Sequence, residues 1–173
     1  IAIVLYLAEK KTKFGQLGYW KKQSIIGVIF GAAAILATEF GIPVDGAVFN
    51  VRSAAPLSAG LLFGGPAGII AGVIGAVHRW YSLLWGIGSY TRLACSLATL
   101  LAGIIAALCR EFVFNNKKVT WLYGFIIGVT TEVIHMLIAF FTHLDDLHQV
   151  FLVMLKCSIP MIVANGLSVM LAM

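Results

Sequence analysis

The residues of this sequence best suited to chemistry are two arginines that flank an apolar stretch, Arg52 in FNVRSAAP and Arg79 in AVHRWY. A guanidinium group is a planar fork of donors that matches a carboxylate or a phosphate. Two such groups held close together repel each other unless an anion lies between them. The pair therefore indicates recognition of a small anion. Pairing of each arginine with an acid such as Glu39, Asp45 or Glu132 is the alternative.

A second group of polar residues lies inside later apolar runs. Glu132 and His135 are spaced i, i+3, so they share one helical face and can act together. Two ligands are too few for a metal site, which needs three or four, and a buried hydrogen bond or ion pair is favoured. Lys156 has a stem long enough to snorkel toward the interface. Arg92 fits either the anion site or an interfacial anchor.

The remaining candidates for catalysis are weak. Cys95, Cys109 and Cys157 lack CxxC partners or metal-ligand spacing, and the latter two read as small buried hydrophobes. The sequence contains no Ser-His-Asp order, nucleotide-binding loop or paired-carboxylate motif. We therefore expect no enzyme active site, no metal and no cofactor in this segment.

Composition identifies the environment of these residues. Of the 173 residues, 61% are hydrophobic and 11% are charged, whereas soluble domains carry roughly 25% charged residues. Apolar runs long enough to cross a bilayer, about 20 residues, recur along the chain. The pattern predicts an all-α integral membrane protein. The net charge of +5 then reflects loop topology, because the basic residues form no stripe of the kind that binds nucleic acid.

Hydropathy predicts about five crossings and one interrupted segment. The predicted spans are the end of a first span at 1–8 and then 23–40, 93–108, 121–142 and 150–173. Residues 57–77 are apolar but broken at Gly64-Gly65-Pro66, which predicts a re-entrant pair of half-length helices. Helix starts after Pro56 and Pro66 would add backbone amides to an anion site. The glycines of this segment form a small-residue stripe that we interpret as packing scaffold.

Loop charges orient the chain. The loop with Lys10, Lys11, Lys13, Lys21 and Lys22, and the loop with Arg110, Lys117 and Lys118, are expected to be cytoplasmic. The loop with Asp145 and Asp146 has no basic residue and is expected outside. Counting 57–77 as a full crossing breaks the parity of this arrangement, whereas a re-entrant hairpin preserves it. The result places the N-terminus outside and the C-terminus inside.

The stretch FNVRSAAPLSAGLLFGGPAGIIAGVIGAVHRW closely resembles the LytS-type five-transmembrane sensor domain (5TM-5TMR_LYT family) of bacterial histidine kinases and diguanylate cyclases. The resemblance continues through GSYTRLACSLATLLAGIIA, GVTTEVIHML and IPMIVANGLSVML. Two departures are the long segment WYSLLWGIGSYT after His-Arg, and Ala98 where some relatives carry a hydroxyl, with Thr99 directly following.

The resemblance implies a sensory module, residues 1–173, cut from a longer protein whose last helix leads to a cytoplasmic histidine kinase or diguanylate cyclase region. Its location would be the bacterial inner or plasma membrane, and relatives of this kind signal as homodimers. Some relatives are receptors for small carboxylates such as pyruvate. The matching positions here are the following ligand-binding candidates: Arg52, Arg79, Cys95, Asn50, Ser96 and Thr91. A substrate-capture membrane protein of a transport system and a purely structural anchor remain alternatives.

Overall fold

The computed structural model describes residues 16–44, 47–81 and 89–173. The predicted first span, the first three lysines of the N-terminal loop, Asp45 and most of the long segment after His-Arg lie outside these ranges. The described helices are α1 (Tyr19–Glu39), α2 (Ala54–Phe63), α3 (Gly65–Tyr81), α4 (Arg92–Leu108), α5 (Trp121–Phe141) and α6 (Leu147–Ala172). Two short strands, β1 (Ile42–Val44) and β2 (Ala47–Phe49), lie between α1 and α2.

Four of the described helices are long and apolar enough to cross a membrane. They are α1, α4 with its π-helical extension to Val113, α5 and α6. The predicted all-α membrane fold is confirmed. The predicted ends of the four spans lie within four residues of the ends of α1, α4, α5 and α6, and the π-helical extension continues five residues beyond the predicted end at Leu108. Helix α1 begins four residues earlier than predicted, at Tyr19, and this places Gln23 inside the helix, where it is buried.

The predicted break in the hairpin is confirmed. Helix α2 ends at Phe63, and α3 begins at Gly65 after Gly64 adopts φ 139°, a conformation that only glycine adopts readily. Helix α2, with 10 residues, has the predicted half length, whereas α3, with 17 residues, is longer than predicted. The two helices pack closely, because a methyl group added at Gly68 would lie 2.7 Å from Gly60 Cα. The small-residue stripe is thus a packing surface, as predicted.

Contacts along the helices give their relative directions. Gln23 of α1 lies beside the start of α3, and Gly31 lies beside Ile74 farther along it, so α1 and α3 run in parallel. Gly75 of α3 faces Thr99, whereas Gly65 faces Ala107, so α4 runs antiparallel to α3. Helix α2 runs antiparallel to α3, because Gly64 alone joins them and the two helices pack side by side. Both ends of the α2–α3 hairpin therefore lie toward the same side of the bundle, as the charge parity requires.

Side chains from neighbouring helices satisfy the backbone at the hairpin break. Gln23 Nε2 donates to Phe63 O at 2.7 Å, and Gln23 Oε1 accepts from Ala67 N at 3.1 Å. Arg110 Nη1 donates to Leu61 O at 2.6 Å. Irregular backbone at membrane depth is tolerated only where protein buries it and supplies such partners. The hairpin is therefore held from both flanking spans.

The two-stranded ladder was not predicted from the sequence. Ile42, Pro43 and Val44 pair antiparallel with Phe49, Val48 and Ala47, and Ala47 packs in a cluster with Val153 of α6. The sequence signal was present, since Asp-Gly between two apolar triplets is typical of a tight hairpin. The ladder carries the chain from the end of α1 to Arg52.

Candidate functional site

Arg52 lies in the turn between β2 and α2 and is 1% exposed. Its Nε donates to Thr99 Oγ1 at 2.6 Å, Nη1 to Thr38 Oγ1 at 3.3 Å and Nη2 to the Cys95 carbonyl at 3.3 Å. All three acceptors are neutral. Among the described residues no carboxylate forms a salt bridge with Arg52. Its hydrogen-bond acceptors are thus neutral, and the carboxylate that acts on its charge, Glu132, is paired with His135. A buried charge of this kind is costly at membrane depth.

Arg79, near the end of α3, is also buried, at 4% exposure. It lies close enough to Arg52 for the two charges to repel each other. The predicted convergence of the hairpin ends is therefore observed. Of the acids considered as partners, Glu39 lies 3.3 Å from His78 and Glu132 lies 2.7 Å from His135.

Cys95 is one turn into α4, about 5 Å along its axis from Arg92 at ~1.5 Å per residue. Its side chain is 3% exposed and contacts both Arg52 and His135. Thr99 Oγ1 donates to the Cys95 carbonyl at 2.7 Å while accepting from Arg52. Ala98 stands where some members of the resembled family carry a hydroxyl, and the hydroxyl of the next residue, Thr99, accepts a hydrogen bond from Arg52.

Glu132 and His135 form the predicted buried pair on α5. Glu132 Oε1 lies 2.7 Å from His135 Nδ1, and the two residues are 0% and 3% exposed. The other carboxylate oxygen, Oε2, is buried without a hydrogen-bond partner. Since Nδ1 faces the carboxylate, Nε2 is the nitrogen available to the Cys95 thiol. No group of three or more His, Cys, Asp or Glu residues in the described ranges is arranged to hold a metal.

A cavity of about 30 Å³ opens beside these groups. That volume accommodates about two water molecules. Thr91, Cys95 and His135 are among the residues that line it, and the Thr91 hydroxyl is buried without a hydrogen-bond partner. The rest of the lining is apolar or sulfur-bearing and comes from the following residues: Ala47, Val48, Met136, Ala139, Val150, Val153, Met154, Cys157 and Met161.

An aromatic contact joins the residue before Thr91 to the segment that follows α5. The Tyr90 and His143 rings stack with centroids 4.1 Å apart, and His143 Nε2 lies 2.6 Å from the Tyr90 carbonyl. Burial, with the carboxylates of Asp146 and Asp145 nearby, raises the pKa of the Tyr90 phenol above its usual value. The start of α4 is therefore tied to the end of α5 directly beside Thr91.

Asn50 connects the site to the last helix. Its Oδ1 accepts from the Arg52 amide at 3.1 Å, which fixes the turn that presents the arginine. Its own carbonyl accepts from Asn165 Nδ2 of α6 at 3.3 Å. Asn165 is 0% exposed, and its Oδ1 has no hydrogen-bond partner. One hydrogen bond thus joins the Arg52 turn to α6.

The six sequence-predicted candidates are all buried, but the structure uses them differently. Arg52 lies close to Arg79 and Cys95. Cys95 and Thr91 line the cavity, whereas Asn50 accepts a hydrogen bond from the Arg52 backbone amide. Ser96 is buried, and its hydroxyl has no hydrogen-bond partner.

One expected contribution is wrong. The amides at the start of α3, after Pro66, lie at the hairpin break beside Gln23 rather than beside Arg52. They cannot contribute to an anion site there, because the break lies at the opposite end of α3 from Arg79. Arg92 is exposed and stacks over the Trp80 ring at 5.3 Å, which fits an interfacial anchor, and Lys156 is exposed on α6.

Sequence reasoning missed Thr38 and Asn165. Each is a small polar residue inside an apolar span, and such residues in membrane helices commonly hydrogen-bond across the bundle. The presence of these polar residues in apolar spans indicates a contact with another helix, but it does not identify the residue that they contact.

Comparison with known proteins agrees with this architecture. The family model described as "5TMR of 5TMR-LYT" matches residues 6–173. The chain is 34% identical over 118 residues to the sensor histidine kinase YpdA of Escherichia coli strain K12, which covers 68% of this chain and 20% of that protein. It is 27% identical over 115 residues to the sensor histidine kinase BtsS of the same strain, and this match covers 64% of this chain and 20% of that protein.

The chain spans about a fifth of the length of the curated relatives that it matches. No solved structure gives a significant match. The match of the family model over nearly the whole chain, together with the multi-pass helical fold, leads to one assignment. The chain belongs to the 5TMR-LYT family of membrane sensor domains.

Proposed function

We propose that this domain, residues 1–173, is the receptor part of a bacterial sensor histidine kinase or a similar signalling protein. It binds a small carboxylate, such as pyruvate, between Arg52 and Arg79, and its last helix passes the signal to a cytoplasmic output region. The observation that carries the proposal is the buried Arg52, whose described hydrogen-bond acceptors are all neutral and which forms no salt bridge with a described carboxylate. An anion supplies the missing countercharge.

Electrostatics favour a bound anion over an empty site. Arg52 and Arg79 repel each other inside the protein, and the low dielectric there makes the repulsion stronger than in water. A carboxylate between them replaces this repulsion with two attractions and accepts charge-assisted hydrogen bonds. Each such bond contributes about 1.5–3 kcal/mol. Burial of the arginines is therefore compatible with a stable liganded state.

A ligand signals only if it binds two conformations with different affinity. The Asn50–Asn165 hydrogen bond supports α6 as the element that responds, because Asn50 also fixes the Arg52 amide. A shift of the Arg52 turn on binding moves an acceptor of α6. We propose that this contact transmits the ligand-induced change.

The orientation and assembly follow the same proposal. Arg110, Lys117 and Lys118 follow α4, and Asp145 and Asp146 precede α6, at opposite ends of α5. The positive-inside rule places the first group in the cytoplasm, which puts the N-terminus outside and the end of α6 inside. The complete protein is proposed to work as a homodimer in the cytoplasmic membrane, with a histidine kinase as its output region.

Ligand titration of the chain in lipid nanodiscs tests the site. Pyruvate is expected to bind the wild-type chain, and Arg52→Lys is expected to weaken binding about ten- to a hundredfold, because a lysine keeps the charge but loses the fork. Arg79→Lys is expected to act similarly. Arg92→Lys is the matched control, since Arg92 is exposed and stacks on Trp80.

Two outcomes contradict the proposal. One is the absence of binding by pyruvate and by related small carboxylates at any concentration that leaves the protein folded. The other is equal binding by the Arg52→Lys, Arg79→Lys and Arg92→Lys variants, which would place the ligand away from the buried arginines.

A further inference from the structure

Three buried side chains on α4 and α5 form a row that ends at the cavity. Glu132 Oε1 lies 2.7 Å from His135 Nδ1, and His135 in turn contacts the Cys95 thiol. A carboxylate that orients an imidazole, which then serves a thiol, is the arrangement that activates a nucleophile in acyl-transfer sites. Cys95 and His135 both line the cavity.

The surroundings of the thiol specify the ligand that it would meet. Arg52 contacts the Cys95 side chain and donates to its carbonyl at 3.3 Å, so a carboxylate held by Arg52 lies beside the sulfur. Thr91, which is 5% exposed, lines the same cavity, and its hydroxyl is buried with no hydrogen-bond partner. It is available as a donor to a second oxygen of the ligand. A carboxylate next to a carbonyl group offers both features.

We propose that Cys95 adds reversibly to the carbonyl carbon of a bound 2-oxo acid, and that the domain thereby selects 2-oxo acids over other small carboxylates. The inference rests on the proposed function, because it takes the carboxylate to be held by Arg52 and Arg79. It adds the class of ligand and the chemical basis of its selection.

The step is balanced without any further reactant. The sulfur forms a bond to the carbonyl carbon, and the π bond of the carbonyl breaks. The thiol proton passes to His135 Nε2 and from there to the former carbonyl oxygen, which becomes a hydroxyl. The product is a hemithioketal that keeps every atom of the ligand and the thiol, and its oxidation state is unchanged. The reverse step releases the ligand intact.

The cavity must widen to admit a 2-oxo acid, because its volume is about 30 Å³. The cavity lining includes Met136, Met154 and Met161. Methionine has three rotatable bonds and repacks at low cost. Met154 and Met161 belong to α6, so their displacement by a ligand acts directly on the last helix.

Carbon-13 NMR of the 173-residue chain in nanodiscs, with pyruvate labelled at C2, tests the step. We expect a protein-bound tetrahedral C2 signal in the wild type and in Cys157→Ser, the matched control, since Cys157 lines the same cavity. We expect only the signals of trigonal pyruvate and its free hydrate with Cys95→Ser. Lactate and propionate, which lack the carbonyl, are expected to bind the wild type at least tenfold more weakly than pyruvate and to bind Cys95→Ser unchanged.

The outcomes separate this inference from the proposed function. Pyruvate bound to the wild type with a trigonal C2 alone overturns the covalent step and leaves carboxylate binding intact. Equal affinity of the wild type for pyruvate and propionate also overturns it. Loss of all binding in Cys95→Ser does not affect this decision, because the wild-type spectrum decides by itself. Failure of all three acids to bind the wild type overturns the proposed function.

Discussion

Replacement of Asn165 by alanine is expected to loosen the connection between the Arg52 turn and α6. The Asn165 Nδ2 atom donates to Asn50 O at 3.3 Å and to Met161 O at 3.1 Å. The Met161 carbonyl lies one helical turn earlier and keeps its α-helical partner in the variant. The Asn50 carbonyl has Asn165 as its hydrogen-bond donor within the described ranges. The substitution therefore acts on Asn50.

The magnitude follows from the burial of that carbonyl. A hydrogen bond between membrane helices contributes about 0.6 kcal/mol on average and up to about 1.7. A buried acceptor left without a donor costs about 1–3 kcal/mol. We expect Asn165→Ala to lower the free energy of unfolding by about 1–3 kcal/mol. Since Asn50 also orients the Arg52 amide, we expect up to about tenfold weaker binding of pyruvate, which corresponds to about 1.4 kcal/mol.

Two further variants sharpen the measurement, which is reversible unfolding in mixed micelles followed by pyruvate titration in nanodiscs. Asn165→Asp keeps the size of the side chain but replaces the donor by an oxygen, so it is expected to destabilise more than alanine does. Ser168→Ala, on the same helix and half-buried, is the matched control. Unfolding and binding of Asn165→Ala equal to those of Ser168→Ala would refute the role of this contact.

Two other expectations concern packing and orientation. Gly68→Ala places a methyl group 2.7 Å from Gly60 Cα and is expected to lower the free energy of unfolding by about 1–3 kcal/mol. Gly18→Ala is the control, because its methyl group meets nothing within 4 Å, and it is expected to be close to neutral in the same unfolding assay. Equal stability of the two variants would contradict the tight packing of the hairpin. A cysteine at Lys118 is expected to react with a membrane-impermeant maleimide only from the cytoplasmic side, and one at Asp145 only from outside; the reverse pattern would overturn the orientation.

The sequence was most informative where one local pattern sufficed. Gly64-Gly65-Pro66 predicted the break between α2 and α3, and the loop charges required a re-entrant hairpin whose ends share one side. Both depend on residues that are close in the chain, and both agree with the packing directions of α1, α3 and α4.

The polar contacts between helices could not be predicted from such local patterns. Thr38 and Thr99 each donate to a carbonyl four residues earlier in their own helix, so their types and spacing look purely local. Their contacts with Arg52 depend on the rotation of α1 and α4 about their axes, which no sequence periodicity fixes. Similarly, the predicted span begins at Gln23, and hydropathy does not indicate that this side chain is buried and bonded to the hairpin break.

The break in the hairpin constrains how the domain is made. Helix α2 has 10 residues, about 15 Å at ~1.5 Å per residue, half of the ~30 Å hydrocarbon thickness. Its last turn depends on Gln23 from the preceding span and on Arg110, which is synthesised 49 residues after Leu61. Unsatisfied carbonyls in lipid each cost several kcal/mol. We therefore expect the hairpin to reach its final depth only after α4 has left the ribosome and entered the bilayer, so that insertion of this domain is completed in an order different from that of its sequence.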